Sequence, residues 1–173
     1  MGQDDTALRV KALHELEDLA VAHPGLVVPT IDQLALALRN WRALSVHPMY
    51  LDAGFDVPND TGLLVVAPPL LLEPLEMESQ LAIDILGRLL EDARVPVNLS
   101  DLNFDRAKAH GGTFRDVDFS RCSLVCAEFS GAVLDGAEMS GTNILHATGL
   151  TAESLKTAHN TEHACALLLS DTD

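Results

Sequence analysis

Apolar and polar positions alternate with two different rhythms in this chain. Between residues 6 and 22 the apolar side chains Leu8, Ala12, Leu13, Leu16, Leu19 and Ala20 recur at helical spacing, and His23-Pro24-Gly25 ends the run. A second helix is predicted from Ile31 to about Leu44, with Thr30 as its N-cap and Leu34, Leu38 and Trp41 on one face. Residues 47–74 carry prolines and glycines without a clear period and read as irregular loop. Glu76 to Asp92 reads as a third helix bearing Leu81, Ile85 and Leu89, with acids at its start, where the helix dipole favours them.

From Val97 onward the period becomes five. Large apolar residues stand at Leu99, Phe104, Phe114, Phe119, Leu124, Phe129, Leu134, Met139 and Ile144, with Ala109 as the one small member of the series. Two positions before each centre the residue is small or apolar: Val97, Leu102, Ala107, Gly112, Val117, Cys122, Ala127, Ala132, Ala137 and Thr142. The remaining places are mostly polar. Neither a helix, near 3.6, nor a strand, near 2, gives this period. A chain that sends one pair of residues inward per five must turn a corner every five. Four corners then close a 20-residue coil, and coils stack at about 4.8 Å by strand-like hydrogen bonds. Stacking places Phe104, Leu124 and Ile144 in one interior column and Leu99, Phe119 and Met139 in another. Ala109 with Phe129, and Phe114 with Leu134, complete the interior. Ala109 followed by Gly111-Gly112 predicts a loose or bulged corner.

This segment resembles the pentapeptide-repeat family: "AEFSG", "AVLDG" and "AEMSG" match its A-[D/N]-L-x-x form. The resemblance implies a right-handed quadrilateral β-helix. The fold class expected is therefore α+β, in three parts. Residues 1–96 form a helical segment with the irregular loop 47–74, residues 97–149 the repeat coil, and residues 150–173 a C-terminal capping helix and tail. Thr151 is the expected N-cap of that last helix. Open coil ends expose apolar side chains and strand edges, so the third and last helices are expected to cover them.

Composition narrows the function. The chain has 173 residues, 47% of them hydrophobic and only 4% aromatic, which fits a core of Leu, Val and Ala. A net charge of −15 argues against direct binding to nucleic acid or to an anionic membrane. Residues 1–96 hold 15 acids and 6 bases, residues 97–146 hold 7 and 4, and residues 147–173 hold 4 and 1. The start, MGQDDTALRV, shows no signal-peptide pattern, and the three cysteines show no framework spacing. Both point to the cytoplasm. Met1-Gly2 with Thr6 matches a myristoylation pattern only formally, since Asp4-Asp5 is the opposite of a basic second signal.

Candidate chemistry is sparse. Phosphate-binding glycine loops, GxSxG and HExxH are absent. His159 and His163, with Cys165 close by, have the spacing of two metal ligands, but no second cluster completes a set of four. Arg106, Cys126 and His146 lie 20 apart and fall in one outward column, where His146 could activate the Cys126 thiol. No oxyanion hole or pocket accompanies them. Cys122 points inward as a small core residue. The expectation is a protein without enzymatic activity, catalytic residue, metal or cofactor, acting as a protein-protein interaction module for an unidentified partner. The alternative comes from the resemblance, because some pentapeptide-repeat proteins act on DNA gyrase by imitating duplex DNA with a long acidic coil. Arg106, Lys108, Arg115 and Arg121 weigh against that here. The apolar run from Ala164 to Leu169 suggests a homodimer formed through the C-terminal region.

Overall fold

A computed structural model of the protein describes residues 2–43, 75–161 and 164. The architecture is α+β. Helices α1 (Gly2–Ala22), α2 (Val27–Arg42) and α3 (Met77–Asp92) precede strands β1 (Val97–Asn98) and β2 (Val117–Asp118), and a single helical turn, α4 (Ala152–Lys156), follows. The segment expected to be irregular, residues 47–74, and the apolar tail beyond Ala164 lie outside the described residues.

Helix α1 begins at Gly2, four residues before the expected start, so that Asp5 lies in its first turn, where the dipole favours acids. Helix α2 corrects the N-cap expectation. It starts at Val27, and Thr30 lies inside it, buried. The cap is unnecessary because a 3-10 turn, Pro24–Leu26, runs directly into the helix and the Val27 N–H donates to the Pro24 carbonyl. Pro29 is tolerated in the first turn, where backbone N–H groups have no intrahelical acceptor. Arg9 joins the three helices: its guanidinium lies 2.9 Å from Glu78 of α3 and 5.9 Å from the centre of the Trp41 ring of α2.

The repeat segment pairs with itself at a fixed offset of 20 residues. Strands β1 and β2 run parallel, with Val97 opposite Val117. Single parallel bridges continue the register: Asn103 to Ser123 to Asn143, Lys108 to Glu128 to Thr148, and Thr113 to Val133. Most five-residue units contain one turn closed by a hydrogen bond from the third residue after a centre to that centre's carbonyl. Examples are Ala107 to Phe104, Cys122 to Phe119 and Ala137 to Leu134. The second residue after each centre, from Asp101 at φ 61° to His146 at φ 57°, takes a positive φ. This is the arrangement of a type II turn, which favours glycine at that place. Glycine occupies it at 111, 131, 136 and 141, whereas Asp101, Arg106, Asp116, Arg121, Cys126 and His146 hold it with a side chain. A left-handed conformation costs an L-residue about 1–2 kcal/mol. The ladder offsets part of that cost, because the same residues donate to the next coil, as Arg106 does to Val125 at 2.8 Å and Cys126 to Leu145 at 3.0 Å.

Inside the coil the centres Leu99, Phe104, Ala109, Phe114, Phe119, Leu124, Phe129, Leu134 and Met139 are buried, and Ile144 is half-buried. Phe104, Phe114, Phe119 and Phe129 meet edge to face or tilted, with centroids 5.9–6.3 Å apart. Cys122 is fully buried as expected, and its thiol donates to the Leu99 carbonyl at 2.9 Å. Thr142, one coil on, repeats the same bond to Phe119. The expected bulge after Ala109 is absent. Ala109 and Gly111 donate to Glu128 and Ser130 in regular register. Gly112 has a different purpose: a Cβ on Gly87 of α3 would stand 3.1 Å from its Cα, so two glycines let the helix press onto the coil end. Ile83 and Leu86 of α3 then plug the coil, and with Leu99, Phe104 and Ala109 they border a residual apolar cavity of about 10 Å³. That is the smallest space a water occupies, and its lining offers a water no partner.

Candidate functional site

The helical segment hydrogen-bonds the first coil at four successive five-residue units. Arg39 of α2 donates to the Asn98 carbonyl at 2.8 Å and to the Ser100 carbonyl at 3.4 Å. At the second unit Asn103 donates to the Arg42 carbonyl while the Arg42 side chain donates back to the Asn103 carbonyl, both at 2.8 Å. At the third, the Gln80 side chain takes the place of a neighbouring strand, donating to the Lys108 carbonyl at 2.7 Å and accepting from the Lys108 N–H at 2.9 Å. At the fourth, Thr113 donates to the Gly87 carbonyl at 2.9 Å. Unpaired strand edges invite pairing with other chains, and here each is occupied.

The far end is covered differently from expectation. Helix α4 has the predicted N-cap, with Thr151 and Ser154 forming a reciprocal capping box, yet it is five residues long and buries none of them. Backbone beyond the helix does the covering: His159 exchanges hydrogen bonds with Ala137 and Met139, and Gly136 donates to Thr157. The bridge from Glu138 to His159 has an offset of 21, because the helical turn adds one residue to the circuit. Asn160 holds the Glu138 carboxylate at 2.7 and 2.9 Å.

With the interior filled, a concavity among the described residues lies outside, where α1 and α3 meet the coil. It is a groove of about 770 Å³. Val10, Leu75, Met77 and Leu81 supply its apolar lining, and Asp84, Lys108, Cys126 and Glu128 its polar and charged groups. That volume is in the range of pockets that hold small ligands or short peptide segments. Gln80 is immobilised at its edge, since the amide that grips Lys108 also donates to Asp84 at 2.8 Å. Burial pushes the Asp84 carboxyl above the ordinary carboxylate range, opposed by the Gln80 hydrogen bond and the nearby Arg88 and His110 charges. Beside it, His110 Nε2 stands 2.8 Å from Glu128 Oε2.

Elsewhere the coil's surface charges answer one another between layers. Arg121 grips Asp101 with two hydrogen bonds of 2.6 and 2.7 Å, and Arg115 reaches Asp135 at 3.4 Å. Both pairs are 20 residues apart, one coil. The Arg121 bonds hold the Asp101 carboxyl below its usual value. Asp105 is the exception, tucked under Val125 and accepting from the Ser123 hydroxyl and the Val125 N–H. Burial raises its carboxyl pKa, and those hydrogen bonds oppose the rise.

The nine sequence-predicted centres line the coil and stay away from the groove. Arg106, Cys126 and His146 share a column of left-handed corners, and Arg106 and Cys126 border the groove. His159 is exposed and engaged in the ladder, while His163 and Cys165 lie outside the described residues. Among the described residues no three His, Cys, Asp or Glu side chains are grouped to hold a metal. Sequence reasoning missed the sealing residues Arg39, Arg42 and Gln80, which carry no local signature. It also missed the left-handed corners, although glycines at 131, 136 and 141, each two places after a centre, were a readable sign of them.

Residues 113–144 match the family model for pentapeptide repeats, in eight copies. No curated protein matches the chain. Among the described residues no helix is long and apolar enough to cross a membrane. The eight matched copies fall where the five-residue turns and the 20-residue register run, and residues 113–144 are a run of pentapeptide repeats.

Proposed function

We propose that this protein is a non-enzymatic protein-interaction module of the cytoplasm, built on a short right-handed quadrilateral β-helix, that receives a segment of a partner protein in the groove between α1, α3 and the coil. The observation that carries the reading is the seal by Arg39, Arg42, Gln80 and Gly87. It removes the near edge from use, and the filled interior leaves the outer surface as the working part. The groove combines an apolar lining with charges of both signs, the mixture that peptide-binding clefts use for affinity and register.

Topoisomerase-directed DNA mimicry has less support. A mimic needs uncompensated acids along the coil, whereas Asp101 and Asp135 are matched by Arg121 and Arg115. Affinity capture from the native host tests the adaptor reading. A partner retained by the natural protein and by Arg115→Glu, but lost from Asp84→Lys, is the expected result. Capture insensitive to Asp84→Lys, or strong inhibition of gyrase supercoiling by the full chain, would overturn it.

A further inference from the structure

Helix α1 has two apolar faces. One carries Leu13 and Ala20, which are buried in the core shared with α2 and α3. The other carries Leu8, Ala12 and Leu19, all exposed: Leu8 retains 65% of its free surface and Leu19 retains 49%. At about 100° per residue, positions 8, 12, 15 and 19 fall within about 60° of one another. They form a straight strip along the outside of the helix, with Ala12 as a shallow place between two leucines. Single exposed leucines are ordinary, but a strip at 8, 12 and 19 has the spacing by which one helix receives another.

The charges beside the strip indicate what it receives. Asp5 lies on one flank and Asp18 on the other, with Glu15 in the strip's line, and all three are exposed. Of the two bases of α1, Arg9 is turned away to Glu78 and Trp41, and Lys11 lies 3.6 Å from Glu15. The strip thus sets two leucines and an alanine around Glu15, with acids at both borders, on a chain whose net charge is −15. A second copy would bring like charge against like. We infer that the outer strip of α1 docks an amphipathic helix of a partner protein, one with an apolar stripe flanked by Lys or Arg.

This rests on the adaptor reading and adds a second surface, separate from the groove. The test uses the full chain and a labelled synthetic amphipathic helix of about five turns, with Leu at matching spacing and Lys on its flanks. Expected is saturable binding that weakens at least about tenfold in Leu8→Glu/Leu19→Glu, as loss of central apolar anchors does. Binding should also weaken with added salt and disappear for a control peptide with Glu in place of Lys. The circular dichroism spectrum of the double variant should match that of the natural protein, because neither leucine is in the core. Equal binding of the Glu peptide, binding indifferent to the double substitution, or a doubled mass of the free protein that the substitution halves would each overturn the proposal. Partner capture lost from Asp84→Lys would be unaffected by any of these outcomes, so the two readings fail separately.

Discussion

Gln80 and Lys108 are joined as two strands would be, although only one of them contributes backbone: a side-chain amide meets a peptide N–H and C=O at 2.9 and 2.7 Å. One glutamine thereby closes one edge of the coil, and its position on α3 ties the register of the repeats to that of the helix.

Replacing Gln80 with Leu removes both bonds to Lys108 and the one to Asp84 while keeping the side chain's bulk. Each is worth about 1 kcal/mol net, and water satisfies part of the exposed Lys108 backbone, so a loss of about 1–2 kcal/mol is expected. Gln80→Glu keeps the acceptor but sets a carboxylate against the Lys108 carbonyl and the Asp84 carboxylate, and should cost at least as much as Gln80→Leu. Urea unfolding midpoints of the three proteins give the order.

The corners allow a cleaner test of backbone strain. Gly111 has a φ of 62° with open space where a Cβ would go, so Gly111→Ala should cost about 1 kcal/mol, the conformational penalty alone. At Gly149, φ 77°, a Cβ would overlap the backbone of Phe129 and Ser130, and Gly149→Ala should cost clearly more. In the other direction, Cys126→Gly relieves a left-handed corner at φ 58°, and its gain is reduced by the greater unfolded freedom of glycine. Calorimetric melting of the three variants measures the contrast, and equal losses at Gly111 and Gly149 would sink the steric account.

Asp105 gives a pH dependence with a definite sign. Burial raises its folded pKa above the unfolded value of 3.8. The folded state therefore binds this proton more readily, and the contribution to stability is fully present below the unfolded value and lost as pH rises through the folded one. Against Asp105→Asn, the natural protein should gain stability as pH falls from 7 toward the folded value. Ser123→Ala removes a hydrogen bond to the carboxylate and should cost about 1–3 kcal/mol at neutral pH. Denaturant titrations at a series of pH values check both, and the Asp101–Arg121 pair, whose carboxyl is shifted downward, must be held constant in the comparison.

Cys122 should be chemically silent. Its thiol is pushed up to about 12 by burial and donates to the Leu99 carbonyl. Iodoacetamide at neutral pH should alkylate Cys122 only after unfolding, while the partly exposed Cys126 is labelled in the native protein. Peptide mapping by mass spectrometry separates the two sites.

Much of the coil was legible in the sequence because its interior is filled by nearest repeats: Leu99, Phe119 and Met139 need only a count of 20 to be placed together. The corners were less so, since six of the ten left-handed places carry side chains that hide the glycine rule. The seal left no local trace, because Arg39 and Asn98 are 59 residues apart and Gln80 and Lys108 are 28 apart. The Thr30 cap failed because a preceding 3-10 turn supplied the acceptor that a side chain would have given. The two-faced nature of α1 was present in the pattern, but a single sequence does not say which leucines the other helices cover.

The 20-residue register also makes the protein's length a discrete variable. A full circuit inserted between Asp116 and Val117 would copy every interior column and keep the contacts of both ends, moving them apart by one layer of about 4.8 Å. An insertion of five would instead shift α4 by one turn of the five-residue pattern relative to α1 and α3. Whole circuits therefore change the distance between the two ends at constant orientation, and only a remainder changes the orientation as well.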